Sequence, residues 1–293
     1  MRYDVVMLGR KTSGSVVCPS CGSLVGVNDD RCYTCGRANP GLWGFGPALR
    51  RFGNDLGFLS LVLYGCCGLY VISLVSTVAT GGNLFSGSVF SMLGPNQFSL
   101  VLLGASGAGP VFGAGRWWSV LSAGWLHGGL LHILFNMMWV RQLGPAVADM
   151  YGAARMIIIY TIAGASGFLL SSFMFRYLPI PLLGGGYITI GASAPIFGLL
   201  GALFYYGRRG GSSLVGSEAL GYALAMGVFG LLMPGIDNAA HLGGFAGGYF
   251  AGMWLDPLKR ERMDHFVGAA ICLLATLLSI IWSFVTVYIP SLR

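Results

Sequence analysis

Charge is what this chain has least of. Only 9% of its 293 residues are Asp, Glu, Lys or Arg, while 55% are hydrophobic. A soluble domain carries roughly 25% charged residues, so this chain cannot clothe many solvated faces. That excludes an ordinary soluble domain and points to an all-α polytopic membrane protein. No cleavable signal peptide is expected: the sequence starts Met1-Arg2-Tyr3-Asp4 and stays polar up to residue 55. Paired charges within the apolar runs are absent, which argues against a transporter or channel. The net charge of +7 would suit nucleic acid. The basic residues are instead scattered at the ends of apolar runs, where they set topology, so no nucleic-acid partner is expected. Glycine, by contrast, is abundant at 48 residues. Small residues let membrane helices approach closely, because lipid supplies no hydrophobic drive between them.

Seven apolar runs have roughly the length needed to span a bilayer: Leu56–Val78, Gly129–Val147, Met156–Phe175, Ile188–Tyr206, Ala219–Met233, Ala239–Leu255 and Gly268–Ile289. The fifth is the shortest and the least certain span. The segment Thr80–Leu126 is apolar but broken by Gly94-Pro95-Asn96 and many other glycines. It reads as an outer loop with short helices lying in the interface, an ordinary extracellular loop being the plainer alternative. Placing the N-terminus in the cytoplasm puts Arg50, Arg51, Arg141, Arg155, Arg208, Arg209, Lys259, Arg260 and Arg262 inside. Of the 17 Lys and Arg, only Arg116, Arg176 and Arg293 then fall outside. The inside-positive rule therefore sets the orientation, with the lipid bilayer as the chain's solvent.

Under this topology two polar motifs arrive at similar depth from the outer side. Ser193, in Gly191-Ala192-Ser193, lies near the start of the fourth run, and His241 near the start of the sixth. A hydroxyl nucleophile and an imidazole base are the minimum parts of acyl-transfer chemistry. Phe197, four residues after Ser193, shares its helix face and suits packing under the imidazole. His132 and Asn136 share a face of the second run; with the Ser193 N–H they are the donors an oxyanion hole needs. Taken singly, each polar group would read as a helix–helix hydrogen bond. Gly104-Ala105-Ser106-Gly107 and Gly164-Ala165-Ser166-Gly167 spell a glycine-x-serine-glycine string, which Ser193 does not. Ser106 precedes any helix that would orient it, and Ser166 lies too deep to meet His241. Asp237, four residues before His241, is expected to cap a helix rather than complete a triad. Gly198 and Gly201 on the fourth run, and Gly243, Gly244, Gly247 and Gly248 on the sixth, favour close approach of those two helices.

Cys18-Pro19-Ser20-Cys21 and Cys32-Tyr33-Thr34-Cys35 form two knuckles, each followed by glycine. Cys18, Cys21, Cys32 and Cys35 suit one structural Zn2+ site; iron and no metal remain the alternatives. A cytoplasmic setting argues against disulfides.

These motifs resemble those of the rhomboid intramembrane proteases. The resemblance covers roughly residues 56–255 and is carried by Trp125–Met137, Gly191-Ala192-Ser193 and Asn238–Gly244, in the family's order. It implies a rhomboid-like six-helix core, a Ser–His dyad without an acidic member or a catalytic cofactor, and a site open to the outer face. The substrates implied are single-span membrane proteins with helix-weakening residues near that face, in a multi-pass protein of a bacterial inner membrane. The organisation expected is a zinc-ribbon-like cytoplasmic domain (1–40), a linker (41–55), the core (56–255), a cytoplasmic linker (256–267) and one additional helix with a tail (268–293). Two positions depart from the family's pattern. Ala194 follows the serine where glycine is usual, and Trp118 is followed by Ser119 where arginine is usual. Both favour the alternative reading, a non-catalytic rhomboid-like protein that binds membrane clients.

Overall fold

The computed structural model describes residues 10–19, 21–46, 54–85, 92–178, 180–181 and 183–291. The topological markers Arg50, Arg51 and Arg293 lie outside these residues, as do Ser20 and the Met1–Asp4 start.

A two-stranded antiparallel sheet comes first, β1 (Ser15–Val17) on β2 (Leu24–Gly26), with Val16 opposite Val25. Among the described residues seven long helices follow: α1 (Phe58–Ala79), α2 (Leu130–Tyr151), α3 (Ala153–Tyr177), α4 (Ser193–Arg209), α5 (Ser213–Leu232), α6 (Asn238–Leu255) and α7 (Met263–Ser291). The fifth run, weakest in the sequence, forms a full 20-residue helix from Ser213. It starts earlier than its hydropathy suggests because Ser212 accepts a hydrogen bond from the Val215 N–H and caps it. The fourth run changes in the other direction. The helix begins at Ser193 rather than near Ile188, so the serine opens α4 instead of sitting a turn inside it. α7 begins at Met263, inside the expected 256–267 linker.

α1, α3, α5 and α7 are long and apolar enough to cross a membrane by length and composition. α4 is shorter, at 17 residues, while α2 carries Arg141, Gln142 and Asp149 on its exposed side and α6 is rich in glycine. Around them the buried core is continuous from Phe58 and Val62 on α1, through Val140 on α2 and Ile159 on α3, to Ile196 and Leu200 on α4. The close seam is α4 against α6. A methyl at Gly244 would overlap the carbonyl of Ala194, and one at Gly248 the carbonyl of Gly198. Only glycine permits this approach, which brings the two helices together near their N-terminal ends.

The segment between α1 and α2 is folded into the protein. It contains the short helices Gln97–Leu102 and Ser119–Ser122, and Leu100, Leu103, Ala105 and Leu126 are buried in one cluster. Its backbone pairs with the stretch before Ser193. Ser106 and Thr189 exchange both N–H···O bonds at 3.2 and 2.8 Å, Ala108 N–H donates to Gly186 O at 3.0 Å, and Gly191 N–H donates to Ala123 O at 3.0 Å.

At the opposite end of the bundle Arg155 is buried. Its Nη1 donates to the carbonyls of Leu255, Asp256 and Lys259 at 3.0, 2.9 and 2.8 Å. A cation there offsets the partial negative charge at the C-terminus of α6. Glu261 in turn accepts from the N–H groups of Ala154 and Arg155 at 2.9 and 3.1 Å, capping the N-terminus of α3. The cysteine module touches the start of α7. Arg37 donates to Met263 Sδ at 3.4 Å and lies over the Phe266 ring at 5.3 Å.

Candidate active site and metal centre

Ser193 is the first residue of α4, so its backbone N–H has no intrahelical acceptor. His241 sits in the first turn of α6, whose N-cap is Asp237. The Asp237 carboxylate accepts from the Ala240 N–H at 2.9 Å and from the Ser171 hydroxyl. It is therefore occupied in holding the helix start and the loop to α3. The α4–α6 seam brings Ser193 Oγ to 2.9 Å from His241 Nε2. The imidazole is stacked on Phe197, centroids 4.2 Å apart and planes 13° from parallel. Among the described residues His241 Nδ1 has no hydrogen-bond partner. With Nδ1 protonated, Nε2 presents its lone pair to the serine hydroxyl, the arrangement needed to take its proton.

His132 reaches the same place from α2. Its Nδ1 accepts from the Gly128 N–H at 3.2 Å, so this hydrogen-bond pattern assigns the ring proton to Nε2. That Nε2 would lie 2.6 Å from a Cβ built at Gly191, and Ser193 Oγ 3.7 Å from the same point. The space above Gly191 is thus shared by the imidazole N–H and the serine oxygen. Gly191 has φ +122°, which disfavours any side chain as well. Asn136 is buried one turn further along α2. One of its two amide hydrogens is given to His132 O at 2.8 Å, leaving the second as a donor.

The two other glycine-flanked serines serve packing. Ser106 is buried in the bridge to Thr189. Ser166 donates to Ala163 O and Gly243 O, both at 3.0 Å, within the α3–α6 contact. The glycine of that second string also explains Ala194. A Cβ at Gly167 would fall 2.8 Å from the Ala194 methyl. The methyl is accommodated because α3 carries glycine opposite it, a pairing of distant positions that no motif announces.

The four cysteines of the module converge. Their sulfurs all lie within 4.8 Å of one another, with Cys18–Cys35 at 3.7 Å and Cys21–Cys32 at 3.6 Å. A tetrahedron with metal–sulfur arms of about 2.3 Å has edges of about 3.8 Å, so the donor set fits such an ion. The knuckles are alike in backbone. Gly22 N–H donates to Cys18 O at 3.0 Å and Gly36 N–H to Cys32 O at 2.7 Å, and both glycines are left-handed, φ +76° and +71°. Hydrogen bonding to Ser23 holds the Cys21 thiol down at about 6, while burial pushes Cys35 up to about 12; a metal would bind all four as thiolates.

Comparison with known proteins adds to this geometry. The family model described as Rhomboid domain matches residues 114–257. The chain is 33% identical over 183 residues to the rhomboid protease GluP of Bacillus subtilis (strain 168), covering 61% of the chain and 34% of that protein. It is 32% identical over 168 residues to RHOMBOID-like protein 4 of Arabidopsis thaliana, 56% of the chain and 40% of that protein. The putative rhomboid protease YdcA of Bacillus subtilis (strain 168) is 34% identical over 153 residues, 50% of the chain and 71% of that protein. The chain thus spans less than half the length of the first two of these relatives.

Proposed function

This chain belongs to the rhomboid family, and from that premise we propose that it is an intramembrane serine endopeptidase working through a Ser193–His241 dyad. It is an integral membrane protein, and its substrates are membrane proteins cut within a transmembrane segment. The observation that carries this reading is the 2.9 Å contact between Ser193 Oγ and His241 Nε2. Neutral His241 removes the serine proton as Oγ attacks a peptide carbonyl. The imidazolium then protonates the leaving amine, and water releases the acyl-enzyme. The oxyanion occupies the space over Gly191, facing the Ser193 N–H, His132 Nε2–H and the second amide hydrogen of Asn136.

A helical substrate hides its carbonyls in its own hydrogen bonds. The segment cleaved is therefore one that unwinds near the outer face, in a single-span protein. The N-terminus lies in the cytoplasm of a bacterial cell and the dyad toward the outer side. Incubating purified protein with such a span, with and without helix-breaking residues near its outer end, tests this. Cleavage confined to the weakened span is expected, and absence of cleavage from both favours a client-binding protein.

Two substitutions probe the oxyanion site. Asn136→Ala lowers kcat by about 10²–10³, the usual cost of one such donor, with little change in KM. Gly191→Ala places a methyl where the oxyanion must sit and loses activity to at least the same degree. Steady-state kinetics on folded variants check both, and an unchanged kcat removes that residue from the mechanism.

Cys18, Cys21, Cys32 and Cys35 hold a structural Zn2+ that stabilises a module too small to build a core alone. Elemental analysis of purified protein finds about one zinc per chain, lost in Cys18→Ser plus Cys21→Ser. No metal takes part in the peptide hydrolysis.

A further inference from the structure

α7 carries Thr276, Ser279, Ser283 and Thr286 along one face of an otherwise apolar span. Ser279 and Ser283 are buried, 3% and 1% exposed. A hydroxyl buried within a membrane is costly unless paired, and both are paired with the loop between α1 and α2. Ser279 Oγ donates to Trp118 O at 2.7 Å and lies 3.0 Å from Ser122 Oγ. Trp118 Nε1 donates to Ser283 Oγ at 3.0 Å, with its ring edge-on to Trp282. Arg116 Nη2 reaches Thr286 O at 3.4 Å.

The contacts continue inward from the loop. Ser122 Oγ donates to Gly104 O at 2.8 Å, and Ser119 Oγ donates to Ser106 Oγ at 3.2 Å. Ser106 is bridged to Thr189, and Ala123 accepts from the Gly191 N–H. Five buried serines therefore join α7 to the segment that ends at Gly191, two residues before Ser193. The other end of α7 is held by Glu261 and the Arg155 contacts just before it, so the helix is fixed at both ends.

We propose that α7 is a positioning element of the active site: through Ser279 and Ser283 it fixes the outer loop, and through that loop the Thr189–Gly191 segment beside Ser193. This rests on the protease reading only for its kinetic consequence. It also gives Trp118-Ser119 a meaning, since here the loop is anchored by the added helix. These residues touch no reacting atom and act by holding Gly191 between His132 and Ser193.

The test uses the full-length protein in detergent, comparing wild type with Ser279→Ala plus Ser283→Ala and with Ser279→Thr. Two readouts are taken on folded protein: amide hydrogen exchange at residues 186–191, and the rate of Ser193 acylation by a fluorophosphonate. The double variant should exchange faster in that stretch and acylate about tenfold more slowly, in the range expected when a coupled contact is lost. KM for a transmembrane substrate should change less than about twofold. Ser279→Thr keeps the hydroxyl and should behave as wild type. Unchanged exchange and acylation in the double variant would overturn the proposal, as would equal losses in the threonine and alanine variants. If the double variant does not fold, Trp118→Phe removes one donor while keeping the ring on Trp282. It should shift both readouts in the same direction, and no shift overturns the proposal. A wild-type protein inert to the probe would sink the protease reading, and exchange would then decide the role of α7 by itself.

Discussion

Ser193→Ala and His241→Ala each reduce cleavage of a transmembrane substrate by about 10⁴-fold or more, as loss of a nucleophile or its base does where the two act as a unit. The double variant is no worse than either single one, because the 2.9 Å contact joins them into one device. Folding is retained. Ser193 opens α4 and contributes no interior packing, and the His241 side chain leaves a small gap over Phe197 rather than an unpaired charge. Ser106→Ala and Ser166→Ala keep most activity, since both hydroxyls are spent on structural contacts. An active Ser193→Ala protein alongside an inactive Ser166→Ala protein would show that Ser193 is not the nucleophile.

Gly248→Ala has the second largest effect, and it acts at a distance from the chemistry. Its methyl would overlap the carbonyl of Gly198 on α4, a backbone atom that cannot rotate away. Overpacking of this kind costs about 1–3 kcal/mol. The two helices can relieve it only by separating, which draws His241 away from Ser193. Both thermal stability and kcat should fall. Gly227→Ala on α5 is the control: nothing lies within 4 Å of the added methyl, so stability should stay within about 1 kcal/mol of wild type, helix propensity even favouring alanine. Equal behaviour of the two variants would mean that the α4–α6 seam is not tightly set.

Much of this was legible in the sequence, for a physical reason. Spanning helices must be apolar over about 20 residues, so the polar exceptions stand out: Ser193, His241, His132 and Asn136 could be picked from a background with few competitors. The paired cysteine knuckles are equally local, since Cys18 to Cys35 fall within one short stretch of chain. What could not be read depends on three-dimensional pairing. The accommodation of the Ala194 methyl needs Gly167, on another helix. The helix start at Ser193 depends on the preceding segment being held by Ser106, Ala108 and Ala123, partners far away in the chain. Arg155 read as a topological marker, yet its buried guanidinium ties down the end of α6. The polar stripe of α7 was the one such signal within reach: Ser279 and Ser283 are four residues apart, on one face of an apolar run. What they grip is visible only in the fold.

The most direct test is to react the purified wild-type protein with a fluorophosphonate and locate the adduct by mass spectrometry. The dyad predicts a single modification, on Ser193, absent from His241→Ala protein because the hydroxyl then lacks its base. An unmodified protein, or an adduct on Ser106 or Ser166, would contradict it.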